Sequence, residues 1–445
     1  MHYDLIVIGA GLSGLMAAKT AAESGQKVLI VGKGMGSLCL FSNTIDVLGQ
    51  FSKTKKMELH RQTSDVETKA RRGEHPVPED PFTHEQVSGL LGTGMRDGLS
   101  EWIKNHPLHP YSKAGLEKIE DALSSFLSLF PPPYSFQTIA NRNCLLPTGA
   151  GTLRPTYLIP VTMAAGISVN EGRTLIAGFK GFKDFYAHYV ADQLRCRGIN
   201  LQLPDPFYQE PTATALARLM EQNSFRENAG KEIKRQLRDE IRVGLPALLG
   251  TRDPIRVKDD LEAVIGAKVF EIPILPPSIP GMRIFNRFKE WLVQKGVSFL
   301  LGYSVSRGIL KGKRCERIEV IHPPVVTSYS AGRYILATGR FIGGGLKAND
   351  EKVFEPIFNL PLSQPPSRED WFRDSFFSDL PHPIHDAGIL TDASFQPVDG
   401  RGDMILENVW AAGSILAHHH WIDEKSREGI EISTGYVAAK RALGT

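Results

Sequence analysis

The chain opens on a short apolar run, Asp4-Leu5-Ile6-Val7-Ile8, which gives way at once to Gly9-Ala10-Gly11-Leu12-Ser13-Gly14. A run of this length bounded by glycine predicts a buried strand, and Leu15-Met16-Ala17-Ala18 beyond it predicts a helix over about Leu12 to Glu23. Gly25 stands where a helix C-cap glycine is expected. Lys27-Val28-Leu29-Ile30-Val31 predicts the second strand of a βαβ unit.

Further along, Ser52 to Pro81 is polar and charged and predicts an exposed connection. Apolar positions at Val87, Leu90, Leu91, Leu99, Trp102 and Ile103 predict a helix from His84 to Asn105, ended by Pro107 and Pro110. Another helix is predicted from Gly115 to Phe130, stopped by Pro131-Pro132-Pro133. Cys144 to Thr156 is dense in glycine and threonine and predicts a loop, with Arg154 as its one charged residue. From Thr174 the pattern turns to strand and helix. A strand at Thr174–Gly178, a helix at Lys183–Cys196 and a strand at Ile199–Leu203 precede an amphipathic helical stretch, Thr212–Arg242, and apolar runs at Gly244–Leu249 and Val269–Leu275. A helix is predicted at Met282–Lys295, then strands at Ser298–Leu301, Arg317–Ile321 and Gly332–Leu336. Asn408–Ala411 is again a strand running into glycine, and the last helix is about Gly429 to Leu443.

This alternation predicts an α/β fold: a Rossmann-like domain built from the N- and C-terminal segments, 1–164 and 276–445, with an α/β lobe inserted at 165–275. Charge adds an exclusion. With 52 basic against 49 acidic residues the net charge is +3, and a nucleic-acid footprint would need a concentrated basic stripe. The four cysteines, Cys39, Cys144, Cys196 and Cys315, lie far apart without a CxxC pair. That spacing argues against a metal or iron–sulfur site in this chain and against disulfides, and points to a reducing cytosol. No secretory signal pattern and no run of about 18 apolar residues is present, so membrane contact is expected only through a partner.

Strand, glycines and helix in this order form a phosphate-binding turn. Gly9 permits the tight turn, Gly11 lets a phosphate approach the backbone, and Gly14 lets the helix pack on the sheet. About 20 residues past such glycines an acidic residue ordinarily grips an adenosine ribose. Here the position holds Gly32, followed by Lys33. The departure argues against a standard ribose grip and leaves room for FMN, or for an adenine half held differently. Gly34 to Thr44 is a glycine- and hydroxyl-rich loop able to wrap a cofactor, with Ser42, Asn43 and Thr44 at its end.

Three separated stretches, DLIVIGAGLSGLMAA, GRYILATG and ENVWAAGS with GIEISTGYVAAKRA, resemble the two-dinucleotide-binding-domain flavoproteins, in their fumarate reductase/succinate dehydrogenase-like branch. Four more, LFSNTIDVLG, TGAGTLRPTYL, LPPSIPGMRI and LATGRFIGGGL, are similar to the B subunits of anaerobic glycerol-3-phosphate dehydrogenase. The resemblance implies a flavin, FMN by the usual assignment with FAD open, held by Gly9, Gly11, Ser13, Gly14, Lys33, Ser42, Asn43, Thr44, Thr338, Gly339, Gly413 and Ser414. It implies a flavoprotein A subunit, an iron–sulfur C subunit at the inner face of the cell membrane, and oxidation of sn-glycerol 3-phosphate to dihydroxyacetone phosphate with electrons passed to quinone.

Oxidising a secondary alcohol needs a base for the hydroxyl proton and cations for the phosphate. His420, in the triplet His418-His419-His420, is the expected base, with Arg154 and Arg283 as expected catalytic cations; Lys425 and Arg427 are further candidates. Two other readings stand beside this one. The chain is an assembly subunit whose nucleotide site has degenerated, or an independent fumarate-reductase-like oxidoreductase.

Overall fold

The computed structural model describes residues 2–49, 94–204, 210–376, 378 and 380–445. The predicted connection from Ser52 to Pro81 and the first half of the helix predicted from His84 lie outside them. Strand β1 (His2–Ile8), helix α1 (Leu12–Glu23) and strand β2 (Val28–Gly32) form the expected βαβ unit, with β1 and β2 parallel and Leu5 opposite Val28. Leu5 to Ile8 and Val28 to Val31 are buried on both faces, which is why they read as continuous apolar runs.

Helices α2 (Met95–Asn105), α3 (Pro110–Ala114) and α4 (Leu116–Leu127) follow. The α4 helix turns Ile119, Ala122, Leu123 and Phe126 inward, an amphipathic stripe. The predicted loop from Cys144 to Thr156 is instead a hairpin of β3 (Cys144–Pro147) and β4 (Leu153–Thr156), with Cys144 opposite Thr156. Its turn closes because Thr148 Oγ1 accepts from the Ala150 and Thr152 N–H groups and Gly151 takes a φ of +71°.

A second sheet follows, made of β5 (Thr174–Phe179), α5 (Ala187–Gln193), β6 (Arg197–Leu201), α6 (Ala213–Met220), α7 (Asn223–Gln236), β7 (Arg242–Pro246), α8 (Pro254–Ile265) and β8 (Lys268–Ile272). All its strands are parallel, in the order β8–β7–β5–β6, over a hydrophobic core of their own. Two helical expectations change here. The stretch from Thr212 to Arg242 is two helices, because Thr212 caps α6 while Gln222 is extended and restarts the chain as α7. The α8 helix, absent from the periodicity reading, is set by end signals: Asp253 caps it, Pro254 starts it, and Gly266 stops it in the left-handed region.

Helix α9 (Ile279–Gln294) leads back into the first sheet through β9 (Ser298–Leu301), β10 (Ser304–Lys311), β11 (Arg314–His322), β12 (Val325–Leu336) and β13 (Val409–Ala411). Five strands run parallel in the order β9–β2–β1–β12–β13. The first half of β12 pairs antiparallel with β11, and β11 with β10, so one long strand ties an antiparallel flap to the parallel sheet. The chain closes with α10 (Trp421–Glu424) and α11 (Arg427–Leu443). The α11 helix is buried almost all round and lies against α1; a Cβ on Gly435 would stand 2.3 Å from the Ser13 carbonyl oxygen.

Candidate functional site

A cavity of about 990 Å³ lies over the carboxyl ends of the parallel strands. The glycine turn Gly9–Ser13, the segment Gly32–Ser37, the turn Ala337–Gly344 after β12 and the turn Ala412–Ser414 after β13 form its floor. His420, Trp421, Arg427 and Glu431 line it as well, as do Tyr303 to Ser306 at the antiparallel flap. Ligands in open α/β sheets bind in such a crevice.

The glycines serve the cavity in different ways. Gly9 has a φ of +118°, and a Cβ there would lie 2.1 Å from the Ala337 oxygen, so the two turns meet only because residue 9 has no side chain. A Cβ on Gly11 would meet nothing nearer than the Gly36 Cα at 4.0 Å, so this backbone faces open space where a phosphate can approach. Gly32 is explained by packing: a Cβ there would stand 2.9 Å from the Ala10 nitrogen. This backbone therefore has no room for an acidic side chain at the ribose-gripping position.

The lining fits a polar cofactor by a direct test. Ser13 Oγ, Thr338 Oγ1, His420 Nδ1, Arg427 Nε and Nη1 and Glu431 Oε2 are buried and have no hydrogen-bond partner among the described residues, and all five residues line the cavity. Buried polar atoms are normally satisfied. These orphans cluster around one cavity and give it a lining rich in donors and acceptors, which suits a polar ligand.

The three histidines take three different environments. His418 is half-buried, and burial followed by the Lys113 charge lowers its pKa. His419 is 1% exposed, with Nδ1 accepting from Arg340 at 3.1 Å; burial and then the Arg340 charge push its pKa well below the usual value. His420 pairs through Nε2 with Asp386 Oδ1 at 2.8 Å, and its backbone N–H donates to Glu424. Burial alone would raise the Asp386 carboxyl, but the His420 hydrogen bond and charge hold it below its ordinary range. The carboxylate on Nε2 fixes the ring and leaves Nδ1 buried without a partner, in a residue that lines the cavity.

Arg427 begins α11 with its guanidinium 3.5 Å over the Phe41 ring and one amino group bonded to Glu428. Glu428 is 1% exposed, and burial raises its pKa. Glu431, one turn along, is 6% exposed; burial, opposed by Arg427 and reinforced by Glu428, pushes its pKa to about 7.

Of the expected site residues, Gly9, Gly11, Ser13, Lys33, Thr338, Gly339, Gly413, Ser414 and His420 line the cavity. Others do not. Gly14 packs against the Gly9 oxygen. Ser42 and Thr44 bond one another, and Asn43 is buried between the Leu38 oxygen and Ser278 Oγ. The Arg154 guanidinium pairs with Asp46. Arg283 is held by Glu271 and the Gly250 oxygen. Glu431, Arg340 and the Tyr303–Ser306 stretch line the cavity without having been foreseen. Only spatial neighbours distant in the chain reveal them; an acidic residue inside a helix has no local signal of its own.

Comparison with known proteins follows the same lines. The family model for the FAD binding domain matches residues 4–79 and 93–430. The probable B subunit of anaerobic glycerol-3-phosphate dehydrogenase from Halobacterium salinarum is 30% identical over 99% of this chain and 97% of its own. The B subunit of anaerobic glycerol-3-phosphate dehydrogenase from Vibrio cholerae is 29% identical over 100% of this chain and 97% of its own. Among solved structures, Sdh1 of Mycobacterium smegmatis in complex with UQ1 superposes with a TM-score of 0.44 at 9% identity, covering 100% of this chain and 69% of that one.

Proposed function

We propose an electron-relay role from one premise: the chain belongs to the FAD binding domain family and to the B subunits of anaerobic glycerol-3-phosphate dehydrogenase. It is a flavin-dependent oxidoreductase subunit. The cluster of unpartnered buried polar atoms around the cavity carries the flavin reading. An assembly subunit with a dead nucleotide site would have no reason to keep those atoms orphaned, since each costs about 1–3 kcal/mol when unsatisfied.

The flavin is FAD. The FMN expected from resemblance gains no support from the family matched, and the cavity lining includes Tyr303 to Ser306 besides the glycine turns. An FMN would leave that part unfilled. Gly9 to Ser13 would hold the phosphates, Gly413 and Ser414 the polyol chain, and Lys33 would stand near the adenosine. The bound flavin supplies reversible two-electron chemistry.

Relay rather than direct oxidation is supported by two of the expected substrate cations being engaged outside the cavity. Arg154 and Arg283, the expected phosphate ligands, are each committed to a buried carboxylate. The cations that do line the cavity, Lys33, Arg340, Lys347 and Arg427, would then serve the phosphates of the flavin, and a flavoprotein A subunit takes the alcohol while an iron–sulfur C subunit receives the electrons. No helix among the described residues is long and apolar enough to cross a membrane. Membrane contact would come through those partners. The inserted stretch at 165–275 then acts as a rigid lobe beside the cofactor domain.

A second reading has one observation behind it. His420 lines the cavity, is oriented by Asp386 through Nε2 and keeps Nδ1 without a partner, so it is placed to accept a hydroxyl proton. Anaerobic mixing of the purified, flavin-loaded chain with glycerol 3-phosphate separates the two. Relay predicts that the flavin stays yellow until the A subunit is added. Bleaching by glycerol 3-phosphate alone would establish direct oxidation, and absence of any flavin after acid release would favour the assembly role.

A further inference from the structure

We infer that Glu431 is a cofactor-binding group whose neutral carboxyl donates a hydrogen bond to the polyol–phosphate chain of the flavin, making cofactor loading pH-gated. The inference rests on the flavin reading of the cavity and adds a residue and a regulation to it.

Glu431 stands one turn into α11, 6% exposed, and lines the cavity, with Oε2 buried and unpartnered. Its neighbours are the two turns that would flank a phosphate and a polyol. A Cβ on Gly413 would lie 3.9 Å from Glu431 Cγ and 3.0 Å from Ser13 Oγ, so the Glu431 side chain and the Ser13 hydroxyl both border the second glycine turn. Ser13 Oγ is unpartnered too. The other carboxyl oxygen of Glu431 accepts weakly from Ser37 Oγ at 3.5 Å.

The charge balance there decides which form of Glu431 binds. On its own helix it faces Arg427, whose Nη2 is engaged by Glu428, and Glu428 itself. From α1 it faces Ser13, from the 36–39 turn Ser37, and from the turn after β13 Gly413, none of them charged. Lys33 also lines the cavity, from the segment after β2. A second carboxylate 6% exposed beside Glu428 is costly, and its pKa of about 7 reflects that burial. A phosphate arriving at the Gly11 backbone adds a further negative charge. The ionised form would repel it, whereas the neutral form can donate to an oxygen of the cofactor chain.

Below about pH 7 the apo-protein already carries the binding-competent neutral carboxyl. Above it, binding must take up a proton, and affinity falls by as much as about tenfold per pH unit.

The test titrates the deflavinated full-length chain with FAD by fluorescence, from pH 6 to pH 9. The expected wild-type Kd is flat below about pH 7 and weakens above it. Glu431→Gln, neutral at every pH and able to donate, should bind with the wild-type low-pH affinity and no pH dependence. Calorimetry of the wild type in buffers of different ionisation enthalpy should show uptake of about one proton at the alkaline end. A wild-type Kd that is flat, or that strengthens with pH, overturns the inference, as does a Glu431→Gln chain that retains the wild-type profile. The proton-uptake arm needs no variant. If the folded wild type binds FAD at no pH, the flavin reading has failed, which is a different result.

Discussion

Arg283 and Glu271 form a two-pronged buried ion pair: Nη1 donates to Oε2 at 2.7 Å and Nη2 to Oε1 at 2.8 Å, while Nε donates to the Gly250 oxygen. The pair fastens α9 to β8, the last strand of the second sheet, and it stands outside the cofactor cavity. A cation expected to hold substrate is therefore a fastener between elements. Glu271 also accepts from the Leu249 N–H, so both its oxygens are committed.

Removing the guanidinium should cost stability and leave flavin affinity intact. Arg283→Met leaves a fully buried carboxylate unpaired, which costs about 3–5 kcal/mol. Urea unfolding followed by fluorescence measures it. A loss under about 1 kcal/mol, or a selective loss of flavin from a folded chain, would contradict the fastening role.

Gly11→Val should give a folded chain without cofactor. The residue has a φ of −76°, which valine adopts without strain, and a Cβ there meets only empty cavity before Gly36. The added methyls would occupy the space where a phosphate approaches. The expected melting temperature of the apo-chain is within a few degrees of wild type, with flavin absorbance lost by at least about tenfold, a penalty of about 1.4 kcal/mol or more. Full flavin retention would remove the glycine turn from the binding site.

His419 makes the fold acid-sensitive. Buried against Arg340, its imidazole stays neutral in the folded chain, while an unfolded histidine takes a proton near pH 6.5. As pH falls below 6.5 the unfolded chain binds this proton first, so folding stability drops by up to about 1.4 kcal/mol per pH unit from this group. His385 and His418, also lowered by burial, act in the same direction. His419→Gln keeps an acceptor for Arg340 and carries no titratable group. Its stability measured against pH should be flatter below 6.5 than that of wild type; an unchanged slope would sink the assignment.

How much of this was legible follows from how local each signal is. The β1–α1–β2 unit matches its reading because apolar runs, glycines and a helical stretch sit side by side in the chain. The hairpin at Cys144–Thr156 was missed because its pairing depends on a turn closed by Thr148 hydroxyl bonds, and glycine-threonine content alone suits a loop equally well. The α8 helix carried its information in caps at Asp253 and Gly266, not in periodicity. In the site, glycine turns announce themselves, whereas Arg154 and Arg283 look alike as candidate ligands until Asp46 and Glu271 are seen beside them. Glu431 became visible only when α11 met α1.

The choice between FAD and FMN can be made within the cavity itself. Val305 on β10 lines the cavity from the antiparallel flap, a different element from the turns that would hold phosphate and polyol. It is half-buried on a strand of the flap, where an aromatic residue is compatible with strand geometry. Val305→Trp would fill the adenosine region and leave Gly11, Ser13 and Gly413 untouched. If the chain holds FAD, the variant should bind it at least about tenfold more weakly, about 1.4 kcal/mol, while its affinity for FMN stays at the wild-type value. Equilibrium dialysis of the apo-chain with each flavin reads both constants. Equal FAD affinity in variant and wild type would mean that the adenosine lies elsewhere, and a wild type that prefers FMN would return the assignment to the mononucleotide.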